Sequence, residues 1–157
     1  MAITISGTSG LSAGGASFGL VQDTNGYVKF PYQPCCIGTL DIYASLTTPL
    51  GLIISYNQGS IGNSSTNRIT APVAGRYLVH MRQLVQVSTT GVYLAIYVNG
   101  VDVKHAYAGS TGFFADMQCT HILNLAANDY ITFAYLTVAP SVTWNALHSE
   151  FCVYLLG

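Results

Sequence analysis

The histidines and cysteines could carry the most varied chemistry in this chain, but their spacing matches no known type of site. The four histidines are His80, His105, His121 and His148, and the four cysteines are Cys35, Cys36, Cys119 and Cys152. Neither set has the short separations of zinc ligands, and adjacent cysteines rarely bridge to each other. We therefore expect no metal site and free, mostly buried thiols in a protein folded in a reducing cytoplasm. A site built from one histidine of each of three chains is the alternative.

Nucleophilic and acid–base chemistry has no recognisable pattern either. No Gly-x-Ser-x-Gly turn and no phosphate-binding glycine loop precedes a helix-like segment. Only six carboxylates are present, and nothing indicates a pair of acids for glycoside hydrolysis. Trp144 and the eleven tyrosines have rings that stack on sugars, yet such residues more often form cores and interfaces. We expect no catalytic residue, no cofactor and no enzyme activity.

The composition excludes several classes of protein. Of 157 residues, 50% are hydrophobic and 7% are charged, and the net charge is −1. The chain has no basic patch to neutralise nucleic-acid phosphates, and it is too apolar for charge-driven disorder. No apolar run approaches the roughly 20 residues of a membrane-spanning helix, and the first residues do not resemble a secretory signal. A surface with so few charges favours association, and we therefore expect an oligomer.

The N-terminal region differs from the rest of the chain. Residues 1–22 contain no charge and are rich in glycine and serine. Such a segment is typical of a flexible linker, a mobile terminus or an arm that orders against a neighbouring subunit. In the last case Phe18, Leu20 and Val21 would be its apolar anchors. We place an extended arm at residues 1–37 and a head domain at residues 38–157.

The head has the alternation of β-strands and no segment with helical periodicity. Strand-like alternation runs through residues 77–85, 92–98, 113–125, 130–136 and 151–156. In the first of these segments Tyr77, Val79, Met81 and Val85 lie on one face, which we expect to point into the core. Asn99 and Gly100 follow the second segment and give the strongest short signal for a hairpin turn. Asn128 and Asp129 mark another turn. Short strands separated by turns predict an antiparallel sandwich or barrel.

Three of these segments are apolar on both faces, namely residues 92–98, 130–136 and 151–156. An antiparallel sheet with one face in water should be polar on that face. Because the chain offers no helix as a cover, we expect another subunit to cover it. The outward residues, predicted to form this interface, are Tyr93, Ala95, Tyr97, Thr132, Ala134, Tyr154 and Leu156.

Four motifs resemble those of the complement-one-q globular head, and they occur in the same order as in that family. Residues 69–77 read ITAPVAGRY and resemble the pattern Phe-x-x-Pro-x-x-Gly-x-Tyr. Residues 94–100 resemble the strand and turn that follow. Residues 123–131 resemble Leu-x-Leu-x-x-Gly-Asp-x-Val, and residues 151–155 resemble the ending Phe-x-Gly-x-Leu. That family shares a trimeric jelly roll with tumour necrosis factor, so the resemblance implies an all-β, antiparallel, homotrimeric jelly-roll sandwich over residues 50–157.

The resemblance also says where the trimer interface should lie and where this chain departs from the family. One sheet of each sandwich packs around a threefold axis in that family, so the interface residues above should share that sheet. Asn128 replaces a family glycine, but asparagine tolerates the left-handed backbone conformation. Val153 replaces a second glycine, so packing there must differ. Asp102 and Asp116 are isolated acids, so the family's calcium sites are not evident, and the collagen stalk is absent.

The Gly/Ser-rich opening resembles the starts of bacteriophage virion proteins. With a stalkless trimeric head, this implies a capsid decoration or cement protein on the virion exterior, made in the host cytoplasm. Its partners would be its own trimer, the major capsid protein and neighbouring trimers. The alternative is a receptor-binding tip of a tail or head fibre, with a host-surface glycan as a further partner. A secreted ligand of the tumour necrosis factor type is the third interpretation.

Overall fold

The computed structural model describes residues 4–6, 10–13, 16–17, 21–22, 24, 28–29, 33–41, 49–86, 91–109, 114–136 and 148–157. The chain divides into two units, Met1–Gln33 and Pro34–Gly157. The predicted boundary between residues 37 and 38 falls inside a strand of the second unit. The second unit begins at Pro34.

The described parts of the first unit form short antiparallel pairs. Its strands are β1 (Thr4–Ser6), β2 (Gly10–Ala13), β3 (Ala16–Ser17), β4 (Val21–Gln22) and β5 (Val28–Lys29). Strands β1, β2 and β3 form one small sheet, and β4 pairs with β5.

The second unit is a sandwich of two five-stranded antiparallel sheets. Its strands are β6 (Cys35–Leu40), β7 (Leu52–Gln58), β8 (Gly62–Asn63), β9 (Arg68–Thr70), β10 (Gly75–Gln86), β11 (Val92–Val98), β12 (Val101–Ala108), β13 (Phe114–Leu125), β14 (Tyr130–Tyr135) and β15 (Ser149–Leu155). Sheet I has the order β13-β10-β15-β6-β7, and sheet II has the order β12-β11-β14-β9-β8. Among the described residues, no helix is long and apolar enough to cross a membrane.

The core lies between the two sheets and confirms the predicted inward sides. Tyr77, Val79 and Met81 on β10 have no exposed surface. Phe133 on sheet II and Phe151 on sheet I are also fully buried, and their ring centroids lie 5.8 Å apart. Contacts of this kind across the sandwich bury apolar area from both sheets, which is the main force that holds them together.

Hydrogen bonds tie the turns together at one end of the sandwich. Asn99 and Gly100 have φ values of 53° and 81°, as the predicted two-residue hairpin between β11 and β12 requires. Asn128 has φ 72°, which confirms that it takes the left-handed conformation of the family glycine. Asn99 Nδ2 donates to Asp129 Oδ1 over 2.7 Å, and the Ala126 N–H donates to Asp129 Oδ2 over 2.7 Å. Residues of two of the recognised motifs thus meet at this end.

The first motif is explained by close packing around its glycine and tyrosine. A Cβ atom on Gly75 would lie 2.7 Å from Leu155 Cδ1 and 3.3 Å from the carbonyl oxygen of Gly157, so only glycine fits without a shift of its neighbours. The hydroxyl of buried Tyr77 donates to the Val73 carbonyl over 2.8 Å. Val153, at the position of the second family glycine, is 1% exposed and packs inside the sandwich instead.

The structure corrects one sheet assignment. The three segments that are apolar on both faces were predicted to form a single sheet, but β11 and β14 belong to sheet II and β15 belongs to sheet I. Alternation identifies which side of a strand faces the core, but it does not identify the strand's neighbours. The predicted interface residues are therefore divided between the two outer faces of the sandwich.

Candidate functional site

The outer face of sheet I carries six large apolar side chains that are exposed in the single chain. Its exposed large side chains are Ile37, Ile53, Tyr56, Phe114, Ile122 and Tyr154, each 37–54% exposed. The register places Ile122 opposite Leu78, Leu78 opposite Tyr154, and Ile37 opposite Tyr56. Ile122, Leu78 and Tyr154 therefore form one apolar row, and Ile37 and Tyr56 form another. An extended exposed apolar surface of this kind marks a contact site in soluble proteins.

A charged cluster lies on the same face of sheet I. Arg82 Nε donates to both carboxylate oxygens of Asp116, over 3.0 and 3.1 Å. Arg82 Nη1 also lies 3.7 Å from Glu150 Oε1, and His80 Nε2 lies 3.7 Å from the same oxygen. His80 Nδ1 shares a hydrogen bond of 2.7 Å with Thr120 Oγ1. Charges paired within one chain are tolerated better inside an interface than unpaired charges.

The outer face of sheet II carries a group of aromatic residues on β11 and β12. The Tyr93 ring lies 4.6 Å from the Tyr107 ring and 5.2 Å from the His105 ring, between centroids. His105 Nδ1 is 3.5 Å from Asp102 Oδ2. Ala95 faces the same side yet has no exposed surface. Ala95 is thus already buried within the single chain, although it was predicted to be covered by a partner subunit.

The same face has a groove of about 300 Å³. Its lining comprises Pro49, Thr66, Arg68, Tyr97, Gly100, Tyr130, Thr132 and Ala134. Tyr97 lies opposite Thr132 in the register, and the Arg68 guanidinium carbon lies 4.0 Å from the centre of the Tyr130 ring. Burial, and then the nearby Asp102 carboxylate, raises the pKa of Tyr97. Tyr97 therefore stays neutral and can donate a hydrogen bond at neutral pH.

The structure distributes the seven predicted interface residues as follows. Tyr93, Ala95, Tyr97, Thr132 and Ala134 lie on the outer face of sheet II. Tyr154 is on β15 of sheet I, and Leu156, which follows that strand, is 45% exposed. Only Tyr97, Thr132 and Ala134 line one site together, which is the groove. The residues on sheet II and those on or after β15 belong to different sheets, so the strand register does not join them into one surface.

Sequence reasoning missed the residues of β7 and β9 that complete these faces. Pairing between β6 and β7 shifts at Ile37 and Gly38, so Ile53 and Tyr56 share a face although their numbers differ by three. This irregularity removes the period-two signal that would have revealed them. Arg68 and Tyr130 stack across β9 and β14, two paired strands that lie far apart in the sequence. No local pattern marks such a contact.

All four cysteines are free; Cys35 and Cys36 are buried, and Cys119 and Cys152 are half-buried. Burial is the first cause that raises the pKa of each thiol, and it raises the pKa of Cys36 to about 11. At neutral pH the thiols are therefore protonated and weakly nucleophilic. Among the residues that the structure describes, no three His, Cys, Asp or Glu side chains form a group that could hold a metal ion.

The structure gives no side-chain information on several residues that were singled out in the sequence. Phe18, Leu20 and Trp144 lie outside the described residues, and Val21 is described only as a backbone position of β4. The anchor role of the arm therefore stays a prediction.

Comparison with solved structures bears on the fold. Murine APRIL at pH 5.0 superposes with a TM-score of 0.65 at 11% identity, over 79% of this chain and 99% of that chain. The globular domain of zebrafish complement 1qA protein gives 0.64 at 14% identity, over 79% of this chain and 98% of that chain. Eiger TNF from S. frugiperda gives 0.64 at 10% identity, over 80% and 93%.

The chain has the jelly-roll fold of these proteins. The all-β, antiparallel jelly-roll sandwich predicted from the four motifs is thereby confirmed. No family model matches the sequence, and no curated protein matches it either. At 10–14% identity the likeness establishes the architecture alone, and a jelly roll serves many unrelated functions. Function has to be argued from the two outer faces of the sandwich.

Proposed function

We propose that this chain is the subunit of a homotrimer that assembles through the outer face of sheet I. The observation that carries the proposal is the set of exposed apolar side chains on that face, centred on Ile37, Ile122 and Tyr154. Their burial would contribute about 25 cal/mol per Å² of apolar area. Three copies around an axis would cover this face on every chain.

Two further observations support this assembly. Only 7% of residues are charged, so much of the surface is suited to contact with other chains. On sheet I, Arg82 already pairs with Asp116 and lies near Glu150, so burying this end of the face would not strand those charges. The resemblance to complement-one-q heads, whose jelly rolls form trimers, points to the same stoichiometry.

We further propose that the trimer is a structural decoration protein on the exterior of a virus capsid. The sequence likeness of the Gly/Ser-rich opening to bacteriophage virion proteins supports this role, as does the absence of a recognisable catalytic pattern. The mechanism would be purely associative. Sheet I would hold the trimer together, and residues 1–22 would reach the major capsid protein or a neighbouring trimer. Burial of apolar surface would then stabilise the shell.

Counting copies per particle tests the decoration role most directly. Quantitative mass spectrometry of purified virions should find hundreds of copies of the chain per particle. A few dozen copies or fewer would contradict a decoration role and would support the fibre tip.

A truncation tests the function of the arm. A chain that lacks residues 1–22 should still assemble, because the sandwich begins at Pro34, but it should no longer bind undecorated particles. Unchanged binding of the truncated chain would show that the arm is not the contact with the shell.

A further inference from the structure

The groove on the outer face of sheet II has the construction of a small binding site. Its floor is made of small residues on β14, because Thr132 and Ala134 are 5% and 2% exposed. Its sides are made of larger residues, with Tyr97 from β11 on one side and Arg68 from β9 on the other. Small side chains between large ones on adjacent strands leave a depression in an otherwise flat sheet.

Arg68, the cation in this groove, is held in place by the Tyr130 ring and has no anionic partner among the described residues. The Arg68 guanidinium carbon lies 4.0 Å from the centre of the Tyr130 ring, a cation–π geometry that limits the positions of the long side chain. Within the described part of the chain, no carboxylate lies within ion-pair distance of Arg68. Arg82, by contrast, contacts Asp116 and Glu150. Arg68 therefore keeps its planar set of donors available for an external carboxylate.

The remaining lining of the groove is suited to a sugar ring. Tyr97 presents an aromatic side chain, and aromatic surfaces pack on the C–H faces of sugars. Thr66 and Thr132 bring hydroxyl groups that donate and accept hydrogen bonds. The volume of about 300 Å³ lies at the lower end of the range for small-molecule sites. One cation, aromatic rings and hydroxyl groups together match one acidic monosaccharide unit.

We propose that this groove binds a carboxylated sugar unit, whose carboxylate pairs with Arg68 and whose ring lies against Tyr97. The ligand class is that of terminal acidic sugars on cell-surface glycans. The proposal goes beyond the assembly described above and does not depend on it, because the groove lies on sheet II and the proposed trimer contact lies on sheet I. Since the chain's net charge is −1, its overall field does not attract anions, and recognition would rest on this local site.

Titration with matched sugars tests the proposal on the full-length protein. The probes are the methyl glycosides of N-acetylneuraminic acid and of glucuronic acid, each compared with its own methyl ester, which lacks the negative charge. At least one acid should bind, with an affinity at least about tenfold higher than that of its ester. Backbone amide shifts in NMR spectra should concentrate at residues 97, 130, 132 and 134. No binding by either acid, equal binding of acid and ester, or shifts confined to sheet I would overturn the proposal.

Two variants that each remove one positive charge identify the cation that binds the carboxylate. Arg68→Gln should lower the affinity for the acid by about tenfold or more. Lys104→Gln removes one positive charge from an exposed position of the same sheet outside the groove and should leave the affinity unchanged. Arg68→Lys, which keeps the charge without the planar fork, should give an intermediate affinity. Equal losses in the Arg68→Gln and Lys104→Gln variants would indicate general charge attraction and would refute the site.

Discussion

The assembly proposal can be tested at one side chain, Ile122. This residue lies on β13, opposite Leu78 of β10 and in the same row as Tyr154 of β15. Its side chain is 53% exposed in the single chain. An aspartate at this position would meet water in a monomer and the apolar faces of neighbouring chains in a trimer. The substitution therefore separates the stability of the fold from the stability of the assembly.

The size of the effect follows from this half-exposed position. An isoleucine that is already half buried has about 1 kcal/mol of burial energy left to gain in the interface. An unpartnered carboxylate in the same place costs several kcal/mol more. At about 3 kcal/mol per chain, the three copies would weaken trimer formation by about a million-fold. The monomer should lose only about 1–2 kcal/mol, because aspartate gives up the burial that isoleucine already has in the single chain but stays in contact with water there.

Sedimentation equilibrium and thermal unfolding of Ile122→Asp measure the two effects separately. The variant should sediment as a monomer at micromolar concentration and keep a folded circular dichroism spectrum. Val101→Asp is the matched control, since Val101 is 64% exposed on sheet II and its change should leave the trimer intact. Tyr97→Asp decides between the faces, because it dissociates the trimer only if the interface lies on sheet II. An Ile122→Asp variant that remains a trimer would refute the assignment to sheet I.

Three further predictions concern the scaffold. Buried Tyr135 donates a hydrogen bond of 2.5 Å to Gln83 Oε1, and Gln83 Nε2 has no hydrogen-bond partner among the described residues. Tyr135→Phe should therefore cost about 1–3 kcal/mol, and adding Gln83→Met should recover most of this loss in urea unfolding. Hydrogen bonds from Asn99 and the Ala126 N–H lower the pKa of Asp129, so the stability this carboxylate adds over Asp129→Asn is present above its ordinary pKa of about 4 and is lost progressively as the pH falls through the lowered pKa of the folded state. A melting-temperature gap that does not narrow between about pH 5 and about pH 2 would contradict it. The four protonated thiols should react slowly with iodoacetamide in the native protein, and rapid labelling at pH 7 would show that burial does not protect them.

The sequence was sufficient to predict features that depend on local patterns. Alternation predicted the inward side of β10, where Tyr77, Val79 and Met81 are fully buried. The hairpin at Asn99 was predictable because few residues tolerate its φ of 53°. Asn128 was predictable for the same reason. Each of these features is decided by a residue and its immediate neighbours.

Features that depend on distant pairing were not predictable in this way. β10 pairs with β13 and β15 rather than with β11, which follows it directly, and no local signal records that choice. Ala95 and Ala134 looked like interface positions because they are apolar and face outward, yet both are buried within the single chain. The stacking of Arg68 on Tyr130 joins residues 62 positions apart in the sequence. The residues that make up each outer face could therefore be identified only from the order of the strands in the two sheets.

The mass of the native protein in solution tests the central claim most directly. Sedimentation equilibrium of the full-length chain at micromolar concentration should give about 50 kDa, three times the 16.7 kDa of one chain. The mass should stay constant as the protein is diluted tenfold, as expected for an obligate interface. A mass of 16.7 kDa under these conditions would show that the apolar face of sheet I is not covered by other copies of this chain, and it would contradict the proposed assembly.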